Sequence, residues 1–337
     1  MTAASVRFVI MASIALLTGP LQLAAEPGAG KSDVLHRARE PITPIGMAPL
    51  VADPRSSLGE RLFRDPLLSR NKNMSCSSCH DLERNGTGAR RPTTHRPSPL
   101  PFDIPTIFNV SANFAFGWRA EFTSIDRSNE DALTNAFVMN IDWQTLQMRL
   151  AQDRQYSRLF RDLYGHEADQ RSVLDALRRF ESSLSTPAPF DEFLGGNEEA
   201  ISFRAKQGYG LFKEFGCSSC HQGANIGGNL VERFGLFAPA ATDTARDIDL
   251  GRYLLTRSAE DIGVFRVPSL RNVAVTSPYF HDGREPDLGQ AVRLMSEYQL
   301  GREIDDDDAA SIVEFLKTLT GRFEGRPITA GPPEEGR

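Results

Sequence analysis

The sequence repeats one pentapeptide, first as Cys76-Ser-Ser-Cys79-His80 and again as Cys217-Ser-Ser-Cys220-His221. Cys-x-x-Cys-His is the attachment signature of c-type haem, in which two thiols form thioethers and the adjacent His ligates the iron. The two repeats use all four cysteines of the chain, so none is left for a structural disulfide. We therefore expect two covalently bound haems.

Two other uses of a Cys-x-x-Cys pair fit less well. Structural zinc modules usually bring their cysteine pairs closer together in sequence. Redox dithiols do not require the following His and occur with βαβ patterning, which this chain lacks. His80 and His221 are thus the expected proximal ligands, and each leaves a sixth iron position open.

Composition limits the class of protein. The 337 residues are 40% hydrophobic and 24% charged, which is typical of globular chains and allows one large domain or two of moderate size. The formal net charge is −6 and no block of Lys or Arg stands out, so we expect no nucleic-acid partner.

The N-terminus predicts export. Arg7 is followed by the short apolar run 8–17 and by small residues up to Ala25, the pattern of a cleavable signal peptide over 1–25. The run is too short for a comfortable transmembrane helix, and the alternative is an uncleaved anchor. We expect a periplasmic protein with no membrane association after cleavage and a flexible segment over 26–48.

Helical periodicity dominates the remaining sequence. Apolar residues recur at helical spacing within Asp169–Ser185 and again from Ile312 to Leu319. The acidic run 305–308 is interpreted as a helix start rather than a metal loop, and Gly321 as the following C-cap. Few strand patterns occur, and long Pro- and Gly-containing loops separate the helices.

An internal repeat indicates two similar modules. Gly59-Glu-Arg-Leu-Phe63 precedes the first pentapeptide, and Gly208-Tyr-Gly-Leu-Phe212 precedes the second. The predicted fold class is mainly α, with two cytochrome c-like haem domains and long irregular loops. Their expected bounds are 49–186 for the N-terminal domain and 187–325 for the C-terminal domain, with a tail over 326–337.

The chain resembles the bacterial di-haem cytochrome c peroxidase family, to which the tryptophylquinone-forming enzyme MauG is related. The resemblance extends from Pro49 to Gly321. Besides the pentapeptides, it rests on the segments Leu58–Phe63, Pro105–Asn109, Leu184–Phe190, Phe265–Asn272, Thr276–Gly283 and Met295 with Gln299–Gly301.

The resemblance implies roles for the two haems. The haem on His80 would be the low-potential site that reduces hydrogen peroxide, and His95 its removable sixth ligand. The haem on His221 would be the high-potential entry site, with Met295 as its distal ligand. In the quinone-forming relative a Tyr occupies that role. His281 would be a hydrogen-bonding or electron-path residue near the second haem.

Further family features match individual positions. Members hold calcium between the haems with an Asn side chain and two carbonyls; Asp103 stands where that Asn is expected, and Thr276 and Pro278 match the carbonyl donors. Carboxylate oxygen is a hard ligand that suits calcium. A Trp relays electrons in the family, and Trp118 is the candidate, with Trp143 as the alternative.

The expected partners are hydrogen peroxide and a small cytochrome c or cupredoxin that donates electrons. Members of the family are often homodimers, although nothing in the sequence indicates a dimer surface.

One departure weakens the match. The family's distal Glu, which moves a proton on bound peroxide, corresponds here to Val138, and no acid lies between Leu133 and Ile141. Asp142, Glu121 and Asp126 are near in sequence, without anything that places them at the iron. Two alternatives therefore stay open: a MauG-like oxidase that modifies a partner protein, and a non-enzymatic di-haem electron carrier.

Overall fold

The computed structural model describes residues 40–46, 53–87, 102–238 and 246–331. The predicted signal peptide and His95 lie outside these ranges. The described part from Pro41 onward belongs to one compact unit, which is mainly helical with few strands. Its α-helices are α1 (Pro54–Arg64), α2 (Ile125–Thr134), α3 (Trp143–Gln152), α4 (Arg154–Tyr164), α5 (Gln170–Ser183), α6 (Pro189–Leu194), α7 (Phe203–Glu214), α8 (Tyr253–Thr256), α9 (Leu288–Leu300) and α10 (Asp306–Lys317).

The strands form two short antiparallel pairs. β1 (Val231–Arg233) pairs with β2 (Val264–Arg266), and β3 (Arg322–Phe323) pairs with β4 (Arg326–Pro327). In the first pair Val231 lies opposite Arg266. None of the described helices is both long and apolar enough to cross a bilayer.

The two helices predicted from apolar periodicity are confirmed. α5 begins after Asp169, whose side chain accepts a hydrogen bond from the N–H of Ser172, and α10 begins after Asp305, which caps Asp308 in the same way. The prediction that Gly321 caps α10 is wrong, because that helix ends at Lys317. Gly321 instead allows a close backbone approach, since a Cβ there would lie 2.1 Å from the carbonyl oxygen of Thr186.

The repeated Gly-x-x-x-Phe segments lie on two helix pairs built in the same way. In the first pair, α1 and α5, a Cβ on Gly59 would lie 1.9 Å from the carbonyl oxygen of Ala176. In the second pair, α7 and α10, a Cβ on Gly208 would lie 1.8 Å from that of Ser311. The helices of each pair therefore cross with backbones in contact, which only glycine permits.

Four residues further along each helix, aromatic rings meet across the crossing. The ring centroids of Phe63 and Phe180 are 5.3 Å apart in the first pair, and those of Phe212 and Phe315 are 5.1 Å apart in the second. Because the spacing from Gly to Phe and from Ala176 or Ser311 to Phe is the same, the two pairs can be superposed residue by residue.

Each helix pair is the centre of its own hydrophobic cluster. The first core contains Phe63, Leu177 and Phe180 with residues of α3 and α4, and the second contains Phe212 and Phe315 with residues of α6. A residue near each end of the described chain packs in the core that is more distant in sequence. Ile42, inside the predicted segment 26–48, packs in the second core, and Ile328, inside the predicted tail, packs in the first.

A second repeat joins the two cores. We call Phe102–Asn109 and Phe265–Asn272 the first and second proline segments; both read Phe-x-x-Pro-x-x-x-Asn and end on an Asn in the left-handed region, with φ of 59° and 61°. Both Asn side chains donate to the hydroxyl of Thr186, at 2.7 and 3.0 Å. This buried threonine therefore ties the two segments together.

Candidate haem sites

Both pentapeptides fold into the same tight turn. The backbone N–H of His80 donates to the carbonyl of Cys76 at 3.0 Å, and that of His221 donates to the carbonyl of Cys217 at the same distance. Each turn is therefore closed by a hydrogen bond between the first and the last residue of its pentapeptide. None of the four cysteines forms a disulfide.

A hydrogen bond from the Nδ1 nitrogen fixes the ring of each histidine. Nδ1 of His80 lies 3.1 Å from the carbonyl oxygen of Gly86, and Nδ1 of His221 lies 3.4 Å from that of Ile226. A carbonyl can only accept, so each Nδ1 carries the proton and each Nε2 is left with its lone pair. Metal-bound histidines are commonly oriented by such a partner.

The protonation states suit haem attachment. Burial lowers the pKa of His221 to about 4 and also lowers the pKa of His80, so both imidazoles are neutral, as metal ligands must be. Burial raises the pKa of Cys79 and of Cys217 to about 11. Redox dithiols need a lowered thiol pKa, so the structure favours thioether formation over dithiol chemistry.

The second pentapeptide opens onto a large, mainly apolar cavity. Cys217, Cys220 and His221 line it, together with Met295 of α9. Leu288, Val292 and Met295 all lie on α9 and line this cavity. A covalently attached haem requires two thiols that bond to the porphyrin, a neutral imidazole and a Met thioether as iron ligands, and an apolar space, and this cavity offers all of them.

Residues far apart in sequence meet at the same cavity. Asp103, Trp118, Thr276, Pro278 and His281 all line it. The indole Nε1 of Trp118 donates to the carbonyl of Asp103 at 2.7 Å, and the N–H of Asp103 donates to the carbonyl of His281 at 2.8 Å. The alternative relay residue, Trp143, lies instead at the start of α3 and packs against the first core.

His281 has a hydrogen-bonded position beside the cavity. It is buried, its Nε2 lies 3.0 Å from Asp249 Oδ1, and its ring stacks on Phe265 at 4.3 Å between centroids. Asp249, His281 and Asp282 lie close enough together to hold a metal ion. Arg246 and Arg284 each pair with both carboxylates, so the cluster is already neutralised as an ion-pair network.

The acids near Val138 are engaged elsewhere. Asp142 caps α3 by accepting from Thr145, Glu121 pairs with Arg119 at 2.7 Å, and Asp126 lies 3.3 Å from Arg178. Val138 itself is 37% exposed.

Sequence reasoning missed Glu181, a buried acid on α5. Glu181 directly follows Phe180, as Leu316 of α10 directly follows Phe315, so the two positions are equivalent. Leu316 lines the cavity at the second pentapeptide. Glu181 is 4% exposed and accepts a hydrogen bond from Asn129 Nδ2 at 2.8 Å. Burial raises the pKa of Glu181 to about 8. Burial, followed by the nearby Glu181, also raises the pKa of the Cys76 thiol. A polar residue in the apolar register of α5 was the available signal.

Two similar Cys-x-x-Cys-His turns and a cavity that includes a methionine fit a c-type di-haem protein. A family model described as di-haem cytochrome c peroxidase matches residues 53–199. The cytochrome c551 peroxidase of Nitrosomonas europaea is 37% identical over 88% of this chain and 89% of its own length. The chain therefore belongs to the di-haem cytochrome c peroxidase family.

Other relatives cover both named branches of the family. The cytochrome c peroxidase Ccp of Escherichia coli is 34% identical over 86% of this chain, which spans 62% of that relative. The methylamine utilization protein MauG of Methylorubrum extorquens is 30% identical over 85% of this chain and 81% of its own. A solved MauG-like protein associated with microbial copper homeostasis has a TM-score of 0.71 at 23% identity, covering 84% of this chain and 94% of its own, and shows the shared fold.

Proposed function

We propose that this chain is an exported di-haem peroxidase that reduces hydrogen peroxide with electrons from a small cytochrome c or cupredoxin. The net reaction is H₂O₂ + 2 ferrocytochrome c + 2 H⁺ → 2 H₂O + 2 ferricytochrome c. The observation that carries the proposal is Met295 on the cavity that His221 lines. A Met ligand raises the potential of a haem, which suits the site that accepts electrons.

Each helix pair frames one cytochrome c-like domain in this proposal, over 49–186 and 187–325. Bound haem supplies the electron transfer and the activation of peroxide. His80 would hold the iron that reduces peroxide, with His95 as a removable ligand, and His221 and Met295 would hold the iron that accepts electrons. Neutral, oriented imidazoles at both positions support this assignment.

Trp118 is the proposed electron path between the two haems. Its indole donates to the carbonyl of Asp103 in the first proline segment, and its own carbonyl accepts from the N–H of Arg266 in the second, at 2.8 Å. The tryptophan is therefore attached to the same position of both repeats, a placement that supports a relay between the two halves.

Calcium is proposed at Asp103, Thr276 and Pro278. These residues lie on one cavity, where a carboxylate and two backbone carbonyls would supply the hard oxygen ligands that calcium prefers. Calcium would also support a homodimer. Sedimentation of the purified holoprotein with calcium and with a chelator tests both points, and an unchanged mass and spectrum with the chelator would contradict them.

The peroxidase proposal is tested by mixing peroxide with half-reduced holoprotein in a stopped-flow instrument and following the Soret band. We expect a high-spin ferric first haem before mixing, a rapid spectral change on mixing, and two ferrocytochromes consumed per peroxide. Iron that stays low-spin after half-reduction, with no consumption of ferrocytochrome, would favour an electron carrier.

The second candidate function, a carrier or a MauG-like oxidase, is favoured by Val138. General acid–base help typically contributes about 10²–10⁴-fold to a rate, so its loss would slow cleavage of the O–O bond. We expect Val138→Glu to raise peroxide turnover about tenfold or more, and Val138→Gln, a control of the same size without the acid, to leave it unchanged. Wild-type turnover at the level of the relatives, with no gain from Glu, would show that another group supplies the proton.

A further inference from the structure

Arg266, the last residue of β2, is a buried arginine without a carboxylate partner. It is 4% exposed, and its Nε donates to the carbonyl of Gly117 at 2.9 Å. Its two terminal nitrogens have no hydrogen-bond partner among the described residues. The side chain lines the cavity that Cys217 and His221 open onto.

A second buried arginine in the same proline segment shows what complete pairing looks like. Arg271, 1% exposed, makes two hydrogen bonds to the carboxylate of Asp191, both at 2.8 Å, and a third to the carbonyl of Ala224. A buried charge is costly unless an opposite charge pairs with it. Arg271 meets that requirement, and Arg266 does not within the part of the chain that the structure describes.

The surroundings of Arg266 offer little compensation. Burial lowers the pKa of Arg266 to about 10, and Glu121 is the charged group that opposes this effect. Glu121 is itself paired with Arg119, at 2.7 Å. The fork of the guanidinium suits two parallel hydrogen bonds to a carboxylate.

We propose that Arg266 binds a propionate carboxylate of the second haem and raises the reduction potential of that haem. The inference rests on the second haem of the proposed function. A positive charge beside the porphyrin favours uptake of an electron, so Arg266 would add to the effect of Met295. The backbone N–H of Arg266 donates to the carbonyl of Trp118, and its Nε donates to the carbonyl of Gly117. Arg266 would therefore hold the propionate beside the proposed electron path.

Redox titration of the purified two-haem protein, followed by the spectra of the individual haems, tests this inference without peroxide. In Arg266→Met we expect the equilibrium constant for electron uptake by the second haem to fall about tenfold, a shift of about 59 mV for a one-electron couple. Arg266→Lys, which keeps the charge, should retain most of the wild-type potential.

Arg252→Met is the matched control. Arg252 donates to the carbonyls of Arg119 and Ala120, next to Trp118, but it is partly exposed and does not line the cavity. Removing its charge should leave the potential of the second haem unchanged, because solvent screens an exposed charge.

A second-haem potential in Arg266→Met equal to that of Arg252→Met would overturn the inference. If Arg266→Met does not accumulate with two haems, Arg266→Gln decides, since Gln is smaller and uncharged but can still donate to Gly117; a wild-type potential there also overturns it. A pyridine haemochrome showing fewer than two haems in the wild-type protein would instead refute the proposed function.

Discussion

The two halves of this molecule share a backbone frame and differ in the side chains that line it. Each half crosses two helices at a glycine, Gly59 or Gly208, and packs two phenylalanines four residues beyond. At the next position the first half has buried Glu181 and the second has Leu316. The backbone frame is thus repeated, while the side chains at equivalent positions differ in polarity.

The two proline segments differ in the same way, here in the charge of equivalent side chains. Asp103 and Arg266 occupy the same position in the two segments, two residues before Pro105 and Pro268. Both hold Trp118 through backbone hydrogen bonds, yet one side chain is an acid and the other a base. The equivalent positions of the two segments thus both contact Trp118, one through its indole and one through its backbone, and their side chains carry opposite charges.

The largest expected effect comes from removing one attachment pair at a time. Cys76→Ala with Cys79→Ala should leave one haem, and so should Cys217→Ala with Cys220→Ala, because a thioether cannot form without its thiol. Pyridine haemochrome absorbance per chain measures the count. Only the variant that retains Cys217 and Cys220 should keep the high-potential haem in a redox titration; equal potentials in both variants would remove the distinction between the halves.

The helix crossings offer the next test. Gly59→Ala and Gly208→Ala should each lower the free energy of unfolding by about 1–3 kcal/mol, because the added methyl would overlap a backbone carbonyl. Urea unfolding of the holoprotein measures this.

Gly210→Ala is the matched control on α7, since a Cβ there meets nothing within 4 Å. It should raise the free energy of unfolding by up to about 1 kcal/mol, because Ala favours helix over Gly. A neutral effect of Gly59→Ala, beside a costly Gly208→Ala, would show that the two crossings are not equivalent.

Short-range patterns in the sequence predicted much of this architecture. Spacing of three and four residues identified α5 and α10, and the repeated Gly-x-x-x-Phe marked segments that lie on α1 and α7. Each of these predictions depends on residues within one or two helical turns, where the backbone fixes which side chains share a face.

Such local patterns could not predict the contacts between segments that are distant in sequence. The bond from Asp103 to His281 joins residues 178 positions apart, and the pairing of His281 with Asp249 has no local signal. Gly321 was misinterpreted for the same reason, because its requirement for glycine comes from Thr186 rather than from its own helix. That Arg266 has no carboxylate partner among the described residues likewise emerges only when the surrounding chain is in place.

Glu181 gives the two halves different pH dependence. Its pKa in the folded protein is raised to about 8 from an ordinary 4.5, so the folded state holds a proton that the unfolded state releases. Its contribution to stability is therefore complete below pH 4.5 and is lost as the pH rises toward 8.

Glu181→Gln should match the wild type near pH 5 and be more stable at pH 8, by at least about 1 kcal/mol. Urea unfolding at the two pH values measures the difference. Leu316→Met, at the equivalent position of the second half, is the control and should shift stability equally at both pH values. A Glu181→Gln variant whose advantage does not grow with pH would mean that the acid is ionised in the folded protein.

The smallest difference is expected at the caps of α5 and α10, the equivalent helices of the two halves. The Asp169 carboxylate accepts from the N–H of Ser172, and the N–H of Asp169 donates to the Ser172 hydroxyl, so Asp169→Ala should cost about 1 kcal/mol of stability. Asp305 caps Asp308 in the same way but is followed by three more acids. Burial and then repulsion from Asp305 raise the pKa of Asp308, so Asp305→Ala removes a hydrogen bond and a repulsion together.

We expect Asp305→Ala to cost about half as much stability as Asp169→Ala at low salt. Its cost should approach that of Asp169→Ala at high salt, where the repulsion is already screened. Urea unfolding at two salt concentrations distinguishes these cases, and equal costs at low salt would show that the acidic run does not weaken this cap.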